Sequence, residues 1–85
     1  MDLIRYQIAY LWYLQGKYIK SLDVARQIDS STIYSELALI LMAEVNETAL
    51  RDIANAIELY LEFLSKYPTS IFYDEVRIHI RELAS

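Results

Sequence analysis

Of the side chains able to hold a metal or move a proton, the chain has one histidine, His79, twelve carboxylates and no cysteine. His79 stands between Glu75 and Glu82 on what reads as one side of a helix. A carboxylate-bridged dimetal centre takes two Glu-x-x-His pairs and further acids from facing helices. Here there is a single histidine, and Glu82 follows it rather than preceding it, so His79 is expected to be structural or at a solvent edge, with no metal bound. Glu58 and Glu62 lie one turn apart, a spacing that an acid–base pair could use, but Lys66 follows one turn later and solvated i,i+4 charges account for all three. Arg77 and Arg81 share a side and could meet an anion, with Asp74 or Glu82 as the expected neighbours. There is no cysteine nucleophile, no histidine-based triad beyond His79 and no glycine-rich phosphate loop. The expectation is a protein that is not an enzyme and uses no cofactor.

The totals narrow the partners. Eighty-five residues make one domain or part of one. The formal charge is −4 and the pI about 4.8. Eight Lys and Arg spread along such a chain do not build the basic face that nucleic acid requires. The longest apolar run, Leu37 to Ala43, falls far short of the ~20 residues of a membrane span. The opening MDLIRYQIAYLWYL has no basic leader and no small-residue cleavage site, so it does not read as a signal peptide. A cytoplasmic location is favoured on that ground, and a periplasmic one stays open if a leader precedes it. The chain is 55% hydrophobic, above the usual ~45–50%, while a chain this short buries only about 60–65% of its unfolded surface. More apolar surface exists than a small monomer hides, and a partner, a second copy or further neighbouring sequence is the natural cover.

One Gly and one Pro argue against strands joined by tight turns, and the apolar spacing predicts about five helices. In the first, Ile4, Ile8, Leu11 and Gln15 form one stripe, expected to face the core, and Leu3, Tyr6, Tyr10, Tyr13 and Leu14 form another. Gly16 ends it. The second is expected from Tyr18 to Ile28 with Ile19, Leu22, Ala25 and Ile28 inward. A break with N-caps follows at Asp29 to Thr32. The third helix, with Tyr34, Leu37, Ala38, Leu41, Val45 and Ala49 on one side and Leu39, Ile40 and Met42 on the other, is expected to be central. Asn46, Thr48 or Asp52 could each cap the next helix, and a turn near Leu50 to Asp52 is favoured, leading to a fourth helix carrying Ile53, Ala56, Ile57, Tyr60, Phe63 and Leu64. It stops at Tyr67 because Pro68 disfavours helical geometry before it. Thr69 or Ser70 is expected to cap a fifth, with Phe72, Val76, His79, Ile80 and Leu83 inward.

Gln15-Gly16-Lys17-Tyr18-Ile19-Lys20-Ser21-Leu22 resembles the central turn of a tetratricopeptide repeat (TPR), preceded by Ile8, Ala9 and Trp12 at the large, small and aromatic positions. Ala56, Tyr60, Phe63 and Pro68 resemble the later half of a second repeat. Ser21 and Ala56 are 35 apart, one more than the family's usual spacing. Tyr67-Pro-Thr-Ser70 with Phe72, Glu75 and Val76 is further similar to TPR proteins of the TolA-binding and outer-membrane-assembly type. Some positions depart from the pattern: Arg51 stands where a turn glycine is expected, Glu44 and Glu47 where small and aromatic residues are, and no proline closes the first repeat. The resemblance implies an all-α, antiparallel helix-hairpin stack in a right-handed superhelix. Residues 2–29 would be repeat one, 30–68 repeat two and 70–84 a capping helix, within a single domain 1–85.

It also implies that Leu3, Tyr6, Tyr10, Tyr13 and Leu14 line a concave face that binds a peptide or helix of a partner protein. Tyrosine suits that role, offering wide apolar area with few rotamers to lose. The alternative is a self-assembling structural domain whose aromatic face is buried against another copy.

Overall fold

Two apolar sides on one short helix organise the molecule. The computed structural model describes residues 2–28 and 33–85; the break and caps expected at Asp29 to Thr32 lie outside the described residues. Helix α3, Ile33–Glu44, sends Ala38 and Leu41 into one cluster of buried side chains and Leu39 and Ala43 into another. A helix apolar on both sides belongs between neighbours, and α3 has them. The hairpin of α1 (Asp2–Leu14) and α2 (Tyr18–Ala25) packs on one side. On the other, α4 (Ile53–Lys66) pairs with α3, and α5 (Tyr73–Ala84) closes against α4. No strand is present among the described residues.

The Cα atoms span 33 × 28 × 14 Å. The thin dimension fits two helix layers, about 8–10 Å between axes with about 2.3 Å of Cα radius on each side. In a slab two helices thick, every helix keeps a side toward solvent. That leaves two small cores, one around Ala9, Leu22 and Leu41, the other around Ala43, Ala56 and Phe63.

Small residues set the approach within each hairpin. Ala9 and Ser21 are both fully buried, and the Ser21 hydroxyl donates to the Ala9 carbonyl at 2.7 Å. Ala43 and Ala56 are fully buried in the second hairpin. Ala43 stands 34 residues after Ala9. It, and not Glu44, takes the small position, so the expected register of this segment was one residue off.

The same two hairpin turns then fall 35 residues apart. Gly16 sits at φ 78 and closes α1 with Lys17 N–H on Trp12 O (2.9 Å) and its own N–H on Tyr13 O (3.1 Å), the paired bonds of a Schellman cap. Arg51 occupies the matching left-handed position at φ 58, with Asp52 N–H reaching Asn46 O at 2.8 Å. The second closure is one residue wider, because a π-helical turn, Val45–Ala49, precedes it and Leu50 N–H bonds to Val45 O. Its cause lies in two side chains. Asn46 Nδ2 donates to Met42 O at 2.9 Å and Thr48 Oγ1 to Glu44 O at 2.8 Å, competing with the backbone ladder where it widens. One inserted residue explains why the small positions of the two second helices are 35 apart.

The termini of α4 follow the sequence. Asp52 accepts Asn55 N–H at 3.1 Å as N-cap, and Tyr67 leaves the helix at φ −127, ψ 60 ahead of Pro68. Three expectations are corrected. In α1 the inward stripe is the buried Ala9 with the partly buried Tyr6 and Tyr13, while Ile4, Ile8 and Leu11 are exposed. The phase is set by Ala9, the one residue small enough for α2 to approach. Helix α2 ends at Ala25, short of Ile28, and Ile19 is 63% exposed, since Tyr18, Ser21, Leu22 and Ala25 form its inward row. Helix α5 starts at Tyr73, after Ser70 has used its hydroxyl on Phe72 N–H (3.1 Å) and its carbonyl on Tyr73 N–H in a preceding turn.

A Cβ at Gly16 would meet nothing within 4 Å, so its substitution tests backbone conformation alone. Gly16→Ala should cost about 1 kcal/mol and lower the melting temperature by about 4–8 °C. Arg51→Gly should instead raise stability by about 0.5–1 kcal/mol, as the strain relieved outweighs the added freedom of the unfolded chain. Thermal melts of the two variants check both signs.

Candidate functional site

A groove of about 570 Å³ opens on one side of the slab. Helix α3 supplies Leu37, Ile40 and Leu41 to its lining, and Phe72 and Val76 come from the start of α5. Tyr6 enters from α1 and Tyr60 from α4. The charged members are Glu44 and Glu47, where α3 runs into the π turn, and Glu75 and His79 on α5.

Glu47 ties this end of the groove together. Its Oε1 accepts the Tyr60 hydroxyl at 3.0 Å and lies 2.7 Å from His79 Nε2. The Tyr60 ring meets the imidazole edge-on, with centroids 5.3 Å apart. Burial raises the Tyr60 hydroxyl pKa far above its usual value, and the hydrogen bond to Glu47 and the nearby carboxylates add to the rise. It is a fixed proton donor. Glu44 is exposed by area, yet its carboxyl group is turned inward enough that burial raises its pKa first and repulsion from Glu47 second, with His79 opposing. The Tyr6 hydroxyl is pushed up by burial, then by Glu44 and Tyr10.

A histidine held by a carboxylate is half of an acid–base arrangement. Among the described residues no hydrogen bond reaches the second ring nitrogen of His79. Nor do the described residues contain a cluster of three or more His, Cys, Asp or Glu suited to a metal. The groove offers apolar side chains, tyrosine rings and carboxylates.

The aromatic row is partly in place. Tyr34, Tyr6, Tyr10, Tyr13 and Tyr18 form a continuous series, with successive centroids 6.5, 6.3, 6.1 and 5.9 Å apart. Such spacing lies within the favourable range for aromatic pairs, about 4.5–7 Å. Of the expected partner-binding set, Tyr6 lines the groove, and Tyr13 reaches its end through a 3.3 Å hydroxyl contact with Thr48. Leu3, Tyr10 and Leu14 are exposed and do not line the groove. His79 was expected among Glu75 and Glu82, and its carboxylate partner is instead Glu47, from another element. Glu62 pairs with Lys66 at 2.9 Å and Arg77 with Asp74 at 3.7 Å, both exposed, as anticipated. Sequence reasoning missed Glu44 and Glu47 as site residues. The available signal was a pair of acids three apart at the end of the most apolar helix.

No family model, curated protein or solved structure matches this chain. No described helix is long and apolar enough to cross a membrane. The chemistry of the groove rests on its own side chains.

Glu44 binds its proton more tightly in the folded state than in the unfolded one, so its contribution falls as pH rises from the ordinary carboxylate range through its raised pKa. Glu44→Gln should therefore be more stable than the parent at about pH 7 by a few tenths of a kcal/mol, given its exposure. That is a rise of about 1–4 °C. The gain should vanish below about pH 4, where both states are protonated. Melting curves at the two pH values check the sign and the crossover.

Proposed function

We propose that this chain is a non-enzymatic protein–protein interaction module of TPR-like build, two helical hairpins and a capping helix, whose groove holds a peptide or helix of a partner protein. The observation that carries it is the groove itself. Its volume lies within the about 300–1,000 Å³ of binding sites, and its lining mixes aliphatic side chains with tyrosines on one side of a thin slab. Two further features support the repeat likeness. Fully buried small residues recur 34 and 35 positions apart, and left-handed turn residues recur at Gly16 and Arg51. The groove runs past α1, α3 and α5, the first helix of each hairpin and the cap.

A second reading has its own observation. The total surface, 5328 Å², is ordinary for the mass, about 5,200 Å² being expected. What covers it is not ordinary, since Ile4, Ile8, Leu11 and Ile19 are all 40% exposed or more on the outer side of the first hairpin. Self-association through this aliphatic edge, rather than through the tyrosines, is the alternative.

Leu37 lines the groove without belonging to either buried cluster, which makes it the residue to alter. Peptides selected from a displayed random library should lose at least tenfold in affinity for Leu37→Asp, about 1.4 kcal/mol. Its stability should stay within about 1 kcal/mol of the parent. Peptides that bind the variant equally well would place recognition elsewhere. Light scattering separates the second reading: a micromolar dimer that Ile8→Glu dissociates favours the aliphatic edge.

A further inference from the structure

We infer that the segment received by this groove carries a Lys or Arg side chain, seated by Glu44 and Glu75 at the rim while its apolar neighbours rest on Leu37 and Ile40. The inference deepens the proposed binding function and rests on it. Its ground is charge complementarity within an apolar cleft. Every ionisable side chain lining the groove is either a carboxylate, Glu44, Glu47 or Glu75, or belongs to His79 or a tyrosine, and no Lys or Arg lines it.

The three carboxylates are not equivalent. Glu47 is already engaged by Tyr60 and His79. Glu44 and Glu75 have no Lys or Arg partner among the described residues. Four of the chain's eight Lys and Arg are engaged outside the groove lining. Lys66 pairs with Glu62, Arg26 with Asp23, Arg77 with Asp74, and Lys20 sits 4.7 Å above the Trp12 ring. Negative potential is thus left unbalanced in a partly desolvated place, where a charge pair is worth more than in water. The raised pKa of Glu44, due to burial and to Glu47, reports the same imbalance. A cation arriving beside it removes that repulsion.

Tyr6 adds a second attraction. It lines the groove close enough to Glu44 for the carboxylate to act on its hydroxyl, and a tyrosine ring attracts ammonium and guanidinium groups at its face. Long basic side chains suit the setting, because their methylene stems lie on apolar surface while the charged head reaches the rim. The net charge of −4 favours the approach of a cationic segment and opposes that of an anionic one. An acidic peptide would meet like charges and no basic donor in the lining.

The test uses the full chain and peptides selected from a displayed library of short random sequences, resynthesised with a fluorophore. Selected binders should carry net positive charge, with Lys or Arg flanked by apolar or aromatic residues. Replacing those basic residues by Gln should weaken binding about tenfold, as should the double variant Glu44→Gln, Glu75→Gln, with the fold verified by its melting curve. Combining the peptide change with the protein change should cost little more than either alone, since both delete one interaction. Raised salt should weaken the basic peptide more than its Gln counterpart. Neutral or acidic binders that Leu37→Asp abolishes would overturn the cation inference and leave the groove intact. Basic binders indifferent to the two Glu substitutions would overturn it as well. Binders indifferent to Leu37→Asp, or none at all, would remove the groove along with it.

Discussion

Everything in this molecule depends on α3 having no solvent side wide enough to stand alone. Successive residues of a helix point about 100° apart, so Ala38 and Leu41 can serve one core while Leu39 and Ala43 serve the other. Neither hairpin closes a core by itself. The first needs Leu41 and Val45 beneath Ala9 and Leu22, and the second, formed by α3 and α4, needs Val76 of α5 beside Ala43, Ala56 and Phe63. Because α3 is shared, loosening it exposes both small cores, and a domain this short has only about 0.05–0.15 kcal/mol per residue to lose. A two-layer slab also follows from that arrangement. Helices pack on α3 from its flanks, and the remaining side of α3 between α1 and α5 is left as a groove.

The π turn links that scaffold to the site. Without the inserted residue, the second hairpin would close with the seven-residue step from Ala9 to Gly16; with it, Ala43 and Arg51 are eight apart. The widened segment carries Glu47 and Thr48, both of which line the groove. Asn46, buried within the same turn, satisfies Met42 O and takes a 2.9 Å bond from Asn55, so the irregular backbone is held from α4. π turns inside α-helices occur often at functional sites. Here the irregularity has a definite consequence: it sets the carboxylate that receives both Tyr60 and His79.

Much of the architecture was legible because its signals were local. Asp52 as N-cap, Tyr67 as the last helical neighbour of Pro68 and Gly16 as a left-handed stop each depend on a few adjacent residues. So did the centrality of α3, whose apolar residues surround its axis. The phase of α1 was not legible, because both of its stripes are apolar and the choice between them is made by another helix. Tyr6 and Tyr13 lie inward because Ala9 between them admits α2, which no property of α1 alone announces. The π turn was hidden for a similar reason. Its cause is a competition of Asn46 and Thr48 for carbonyls, and in the sequence it surfaced only as a repeat one residue too long. Of the groove lining, Tyr6 had been singled out from the sequence, whereas the Glu47–His79 contact joins residues 32 apart on separate elements.

The carboxylates of the groove show how the two levels meet. Glu47 is engaged by two side chains, the Tyr60 hydroxyl donating at 3.0 Å and the His79 imidazole at 2.7 Å. Glu44, three residues earlier, sits near the same charges with neither donor, and its raised pKa marks a residue that weakens the fold at neutral pH. Packing does not require an acid there, since Glu44 belongs to neither buried cluster. In a thin domain with little stability in reserve, a side chain that costs folding energy and serves no packing role is best understood by what it presents to the groove. What it presents is negative charge beside a tyrosine ring and an apolar surface, the combination that a basic, partly apolar segment complements.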